Sequence, residues 1–480
     1  MSPSAHPDAA VMGSLTQKIA QILTAPDRAA PSSAPAAPFL SVAAPGVPLG
    51  GSDLDFGDMA TRAEIDANAA FSRMVDNVPS PQGFWTLTAR KVWDVYEDAV
   101  TQVRLPASAL SARQQRELDD ALALLSCTAT IRSAQARAKA RQVVRDTPEM
   151  AAYMQHQTAY VAALSARNGM EIQANCPGAS NSLVQDWARN GASYESLVRG
   201  AHDSWVADGY KDNVEAAVGV VRRLAALGPE RLYRSLRATF ATAELADSTG
   251  KVFLPTFIYP TDPPTGLMTA LKASWTPFEF TLQDVHTFQP DGRVSSGGSA
   301  GAGWGLWSAG SSVWYGAGQR TFPCDTTGLM VQAELLPVPL SRPWMRPEIF
   351  PSRGWRWALP VGSGPVSDGG TPPMGQMPLL PTAVVLAQNV MINLDMTAGP
   401  NASSWSSVSS GASVGWGPFS IQGNGTHLGA ATASHFTRSD GGISVPGPQI
   451  VAFVCEVLGR SPDPDPALEW AGLKVVPASV

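Results

Sequence analysis

The sequence is short of charge. Only 15% of its 480 residues are Asp, Glu, Lys or Arg, and the net charge is −6, whereas charged residues usually make up about a quarter of a globular chain. An acidic chain without a basic stretch has no source for the counterion release that drives binding to DNA or RNA. We therefore expect no nucleic-acid partner.

Cysteine and long apolar runs are scarce as well. The four cysteines, Cys127, Cys176, Cys324 and Cys455, lie far apart, which argues against a zinc site and against a disulfide framework. The N-terminus lacks the basic and apolar regions of a secretory signal, and no run of about 18 apolar residues predicts a transmembrane helix. These absences predict a cytoplasmic protein, with export by a non-classical route left open.

Recognisable catalytic signatures are missing too. Residues 297–301, Gly-Gly-Ser-Ala-Gly, fit the G-x-S-x-G pattern, but no helix follows, and a chance match is expected in a segment so rich in Gly and Ser. There is no phosphate loop, no dinucleotide-binding motif and no H-E-x-x-H. The sequence predicts no catalytic residue, no metal and no cofactor, and a non-enzymatic protein is the better interpretation.

The residues that are present divide the chain into three parts. Residues 1–51 predict a short amphipathic helix at 12–23 followed by a flexible tail of Ala, Pro and Ser. Residues 52–249 carry apolar positions at helical spacing between caps, such as the capping box Ser111/Gln114 and the N-cap Thr147 before Pro148. We therefore predict an α+β fold, with an N-terminal helical bundle followed by a β-rich, sandwich-like domain at 250–480.

The β domain has a different composition from the rest of the chain. Beyond Gly250 lie 10 of the 14 tryptophans but only 25 of the 74 charged residues. Five segments have strand composition and approximate alternation of apolar and polar residues: 251–260, 275–285, 329–340, 382–396 and 448–458.

Two long uncharged inserts interrupt these strands. No Asp, Glu, Lys or Arg occurs from 294 to 319 or from 396 to 437, yet neither segment is hydrophobic. Extended hairpins fit this composition better than solvated loops do. In the first insert Val313, Tyr315 and Ala317 alternate with Ser312 and Gly316, and Trp314 is the exception to this two-faced pattern.

The two inserts share a motif. Each carries Gly-Trp-Gly, at 303–305 and at 415–417, followed two residues later by an aromatic-Ser pair. This similarity predicts an internal pseudo-repeat with halves at about 267–350 and 372–460. The residues expected to form interaction hairpins are Trp304, Trp307, Trp314, Tyr315, Trp416 and Phe419.

A second candidate site lies between the halves, where arginine and tryptophan are interleaved from 342 to 357. Arginine stacked on tryptophan gives strong cation-π contacts, and such a cluster can hold a carboxylate or a phosphate. A structural clamp at a domain corner is the more frequent use of this pattern. The candidate residues are Arg342, Trp344, Arg346, Arg353, Trp355, Arg356 and Trp357.

Three functions are compatible with this sequence. The first is a non-enzymatic assembly or interaction protein whose uncharged aromatic hairpins pair with copies of the chain or with a protein partner. The second is a membrane-active protein of the pore-forming type with two amphipathic hairpins, an analogy of layout only. The third is an enzyme with an unrecognised site in a cleft between the helical and β parts.

Overall fold

The structure is a computed structural model. It describes residues 7–27, 38–50, 53–54, 56–81, 84–85, 89–131, 140–260, 274–294, 306–310, 320–358, 364–397, 399–409, 413–425, 432–433 and 436–470.

Helices and antiparallel strands mix along the described chain, which confirms the α+β class. The Ser111/Gln114 capping box and the Thr147 cap both form as predicted. The described helices are α1 (Pro7–Thr24), α2 (Arg62–Val75), α3 (Val92–Thr101), α4 (Ala112–Leu125), α5 (Pro148–Ala174), α6 (Asn181–Ala207), α7 (Lys211–Leu227), α8 (Pro229–Ala243) and α9 (Gly399–Val408), with short 3-10 helices at Leu282–His286 and Pro347–Ile349.

The strands form one large curled sheet, one smaller sheet and three two-stranded pairs. Every strand pairing within them is antiparallel. The strands are β1 (Phe39–Pro48), β2 (Val103–Arg104), β3 (Ser126–Ile131), β4 (Arg141–Asp146), β5 (Leu245–Ala246), β6 (Val252–Phe253), β7 (Phe257–Ile258), β8 (Thr276–Thr281), β9 (Trp307–Gly310), β10 (Arg320–Phe322), β11 (Met330–Ser341), β12 (Arg356–Trp357), β13 (Leu379–Asn393), β14 (Ser413–Trp416), β15 (Phe419–Gly425), β16 (Thr432–Ala433), β17 (Thr437–Ser439), β18 (Gly442–Val445) and β19 (Gln449–Val457).

Four strands in the order of the chain, β8, β11, β13 and β19, form the centre of the large sheet. Val, Leu and Ile dominate β11, β13 and β19 because both faces of the sheet are covered, one by α1 and the smaller sheet and the other by α2. The register sets Met330 opposite both Thr281 and Asn393, and Asn393 opposite Gly442. These four residues form a row across one end of the sheet.

Helix α1 is largely buried. Its apolar residues Leu15, Ile19 and Ile22 are at most 2% exposed, and its polar residues are buried too. Lys18 pairs with Asp284 at 3.0 Å, with both side chains about 5% exposed. A buried ion pair fixes the position of a helix but adds little net stability, because desolvation offsets the attraction between the charges. The helix predicted at 12–23 therefore lies inside the protein rather than on its surface.

The segment after α1 contains a strand where the composition predicts a flexible tail. Strand β1 pairs with β19, from Phe39 opposite Cys455 to Pro48 opposite Gln449. Pairing with a core strand orders this Ala- and Pro-rich stretch, because the sheet supplies the buried surface that the segment cannot provide alone. Strand β1 thereby covers the outer edge of β19.

The opposite edge of the central strands is covered by a side chain. Gln173 of α5, 3% exposed, donates to the carbonyl of Pro277 at 2.9 Å and accepts from the amide of Glu279 at 2.7 Å. One glutamine thus satisfies two backbone groups of β8 that another strand would otherwise bind.

A second core lies where helices meet the 344–357 segment. It joins α3, α4, α7 and α8 to Trp344 and Trp355, so buried contacts cross the boundary proposed at residue 250. The three-part division of the chain stays a prediction.

Candidate functional site

Both uncharged inserts leave the large sheet at the same end. The first connects β8 to β11, and the second connects β13 to β19 by way of the β17–β18 hairpin. Their exit points lie in the row formed by Thr281, Met330, Asn393 and Gly442. Two neighbouring pairs of strands therefore carry two inserts side by side.

The Gly-Trp-Gly motif of the second insert has a local structural role at each position. A Cβ atom on Gly415 would lie 2.2 Å from Cβ of Pro45, so only glycine allows β1 to pass so closely. Trp416 is fully buried. Gly417 has φ +54° in the turn between β14 and β15, a region that favours glycine. The motif therefore allows the second insert to pack closely against β1.

The described parts of the two inserts contact each other directly. Strands β9 and β14 pair with Trp307 opposite Trp416. The ring of Trp307 packs edge-on against Trp405 of α9, with 5.9 Å between centroids, and its Nε1 donates to Oδ1 of Asn401 at 3.5 Å. Neither insert can leave this arrangement without breaking contacts of the other.

The structure places three of the six predicted interaction residues, Trp307, Trp416 and Phe419, and all three are fully buried. The other three, Trp304, Trp314 and Tyr315, lie outside the described residues. The buried rings present no surface to a partner in this fold. A role for these three rings in association therefore requires them to leave their present positions.

The four arginines of the 342–357 segment have separate partners. Arg342 forms a buried ion pair with Asp76, and Arg353 pairs with Asp463 at 3.4 Å. The guanidinium of Arg356 lies 4.8 Å from the ring centroid of Trp470. Arg346 donates to the carbonyls of Pro343 and Met345 and to Oγ of Ser126.

The three tryptophans of this segment serve packing. Trp344 and Trp355 are fully buried and donate to backbone carbonyls, and Trp357 packs edge-on against Trp355 at 5.2 Å. No arginine of the segment stacks on these three rings in the described chain. These contacts are those of a structural segment, and two of its arginines, Arg342 and Arg346, line a cavity.

That cavity has a volume of about 180 Å³ and is lined by both apolar and ionisable side chains. Burial raises the pKa of Asp146 and of Glu348, and partial desolvation raises the pKa of Glu456. Arg346 lies near the first two and acts in the opposite direction. Three carboxyl groups thus share one partly apolar space.

No protein-family model, curated protein or solved structure matches this chain. In the described part of the chain, no three or more His, Cys, Asp or Glu side chains are placed to hold a metal ion. Every described helix is too short or too polar to cross a membrane.

The sequence analysis did not predict Gln173, which covers the edge of β8, or the cavity residues Asp146 and Glu348. Gln173 is the next-to-last residue of a long helix, and Asp146 merely precedes a helix cap. Glu348 stands within the Arg/Trp segment, but its burial depends on helices far away in the chain. None of these residues has a local pattern that distinguishes it from an ordinary polar residue.

The carboxyl group of Glu348 should make stability depend on pH. Its folded-state pKa is raised above an unfolded value of about 4.3, so the folded chain keeps a proton that the unfolded chain has lost. This contribution is fully present below about pH 4 and is lost as the pH rises through the folded-state pKa. Glu348→Gln carries no such proton, so its stability relative to the wild type should rise between pH 4 and pH 8.

Urea unfolding at pH 4, 6 and 8 measures this difference. Glu230→Gln is the matched control, because Glu230 is an exposed partner of Arg234. A constant offset between Glu348→Gln and the wild type at all three pH values would contradict the assignment.

Proposed function

We propose that this chain is a self-associating, membrane-active protein of the pore-forming type. Copies assemble through the edges of the central sheet, and the two uncharged inserts then extend as hairpins through a bilayer. The observation that carries the proposal is the position of both inserts, which leave the same end of four strands whose order across the sheet follows their order along the chain. Each pair of strands can then continue into its own hairpin.

The composition of the inserts supports this proposal. A transmembrane strand needs about 9 to 11 residues with alternating faces and few charges. The uncharged segments 294–319 and 396–437 are long enough for one hairpin each. We propose that they are related units of a pseudo-repeat and that the helices of 52–249 form a bundle supporting the sheet.

The coverage of both sheet edges also supports assembly. An exposed strand edge binds another strand, and proteins that must stay unassembled cover it. Here β1 covers β19, and Gln173 covers β8. Removal of these covers would leave two edges that are complementary between copies.

Dye release from lipid vesicles tests the proposal, together with the mass of the protein in solution and on the vesicles. We expect the protein to form large complexes on vesicles and to release dye. A chain that stays monomeric and releases no dye at any pH from 4 to 8 would refute the proposal.

Assembly without a membrane is a second candidate function. It is favoured by the polar composition of the second insert, which is mostly Gly, Ser, Ala and Thr and offers no continuous apolar face. Complexes that form in solution without lipid and release no dye from vesicles would identify this alternative.

Removal of the side chain that covers β8 should increase self-association. Gln173→Ala leaves the carbonyl of Pro277 and the amide of Glu279 without their side-chain partner, and a strand from another copy can satisfy both. We expect the concentration at which half of the chains associate to fall about tenfold, equivalent to about 1.4 kcal/mol. Sedimentation velocity over a range of concentrations measures it.

Gln157→Ala, on the same helix, serves as the control because the side chain of Gln157 makes no hydrogen bond to a described residue. If Gln173→Ala only lowers stability and associates like this control, the edge of β8 takes no part in assembly.

A further inference from the structure

The cavity near Arg346 lies at the opposite end of the sheet from the inserts. It is bounded by the end of β11, the start of β13, the end of β19 and helices α4, α5 and α7. A volume of about 180 Å³ is many times what a single water requires. Its apolar lining comes from Leu125, Met150, Met154, Val218, Met345 and Leu380.

Glu348 is the carboxyl group in this cavity with a buried oxygen that lacks a hydrogen-bond partner. The residue is 8% exposed, and its Oε2 is buried without a hydrogen bond. Buried polar atoms almost always have a partner, so an orphan acceptor at a cavity wall indicates that a donor binds there. Asp146 accepts from Tyr259 and Ser341 through Oδ2, while no described residue donates to its Oδ1.

The arginines at the cavity mostly bind groups other than its three carboxyl groups. Arg342 is paired with Asp76. Arg346 donates through Nη1 and Nη2 to two carbonyls and a hydroxyl, forms no ion pair with a described carboxylate, and leaves Nε buried without a partner. Arg222, which acts on Glu348 and Glu456, is exposed to solvent. Three carboxyl groups therefore face one arginine that is not ion-paired.

We propose that this cavity binds a small primary ammonium compound with an apolar tail. An ammonium group has three N–H donors, which match Oε2 of Glu348 and the free Oδ1 of Asp146, with Glu456 adding charge at the cavity mouth. The methionine and leucine side chains receive the tail. This site is independent of the assembly proposed above.

Three probes of equal chain length distinguish the head group: hexylammonium, hexanoate and hexan-1-ol. Isothermal titration of the full-length protein at pH 7 should show saturable binding of hexylammonium at least tenfold tighter than of hexan-1-ol. Because burial favours the protonated carboxyls of the empty cavity, binding should release protons. Titrations in buffers of different ionisation enthalpy measure that release.

Two variants locate the site. Glu348→Gln should weaken hexylammonium binding at least tenfold, and Val218→Phe should weaken it by filling the cavity while leaving every charge in place. Glu230→Gln should bind like the wild type. Tighter binding of hexanoate would overturn the proposal in favour of Nε of Arg346 as the binding group, and binding of none of the three probes would leave a water-filled cavity. Neither readout involves vesicles or complexes, so this result is separate from that for pore formation.

Discussion

Oxidised Phe39→Cys protein should neither assemble nor release dye from vesicles. The substituted residue lies opposite native Cys455 in the β1–β19 register, and residues directly opposite in an antiparallel pair lie within the Cα distance that a disulfide allows. The bond would hold β1 on the edge of β19. Since another copy needs that edge, dye release should fall at least a hundredfold.

Reduction of the same sample should restore release, which separates the effect of the bond from the loss of the Phe39 ring. The experiment uses a Cys127→Ser background, because Cys127 is exposed and could link chains. Phe39→Ser controls for the smaller side chain. If the oxidised protein assembles at the wild-type rate, the edge of β19 is not an assembly surface.

A positive charge on one face of the first insert should abolish dye release, whereas the same charge on the other face should be tolerated. Val313 belongs to the apolar positions of the alternating pattern and Ser312 to the small polar ones. An arginine facing lipid near the bilayer centre costs about 2–4 kcal/mol per strand. We therefore expect Val313→Arg to reduce release at least thirtyfold and Ser312→Arg to leave it within threefold of the wild type.

Both positions lie outside the described residues, so the comparison rests on the sequence pattern alone. Circular dichroism and sedimentation should show both variants folded and associating like the wild type. Equal loss of release in the two variants would mean that the insert does not cross the bilayer as an alternating strand.

The sequence predicts the elements whose stability is local. The caps of α4 and α5 form at the predicted residues because each depends on side chains within three positions. The segments predicted as strands at 329–340, 382–396 and 448–458 overlap β11, β13 and β19 within a few residues. Their Val- and Leu-rich composition is explained by burial on both faces.

Prediction from the sequence fails where the structure of a segment depends on a partner that is far away along the chain. Strand β1 lies in an Ala- and Pro-rich segment whose composition favours a flexible tail, and it is ordered by β19 about 400 residues later. The amphipathic pattern of α1 predicts one buried face, but two sheets and α5 bury most of the helix, including its polar residues from Ser14 to Lys18. The pattern could not reveal a cover for the polar face, because Asp284 lies far along the chain.

The candidate sites show the same contrast between features that depend on local sequence and features that depend on distant residues. The inserts are visible in the sequence because a lack of charge over 26 or 42 residues is a local property. The carboxyl cluster of Asp146, Glu348 and Glu456 is not, since it joins three distant segments. The Arg/Trp segment is conspicuous in the sequence, but most of its side chains form structural contacts.

The burial of α1 affects the order in which the protein can be made. Residues 7–24 are synthesised before most of their surroundings, which include β13 and residues near 450. At about 5–20 residues per second, the first helix waits on the order of half a minute for its binding site. During translation its apolar face is available to chaperones, and the native fold can close only after the residues near 450 have been synthesised.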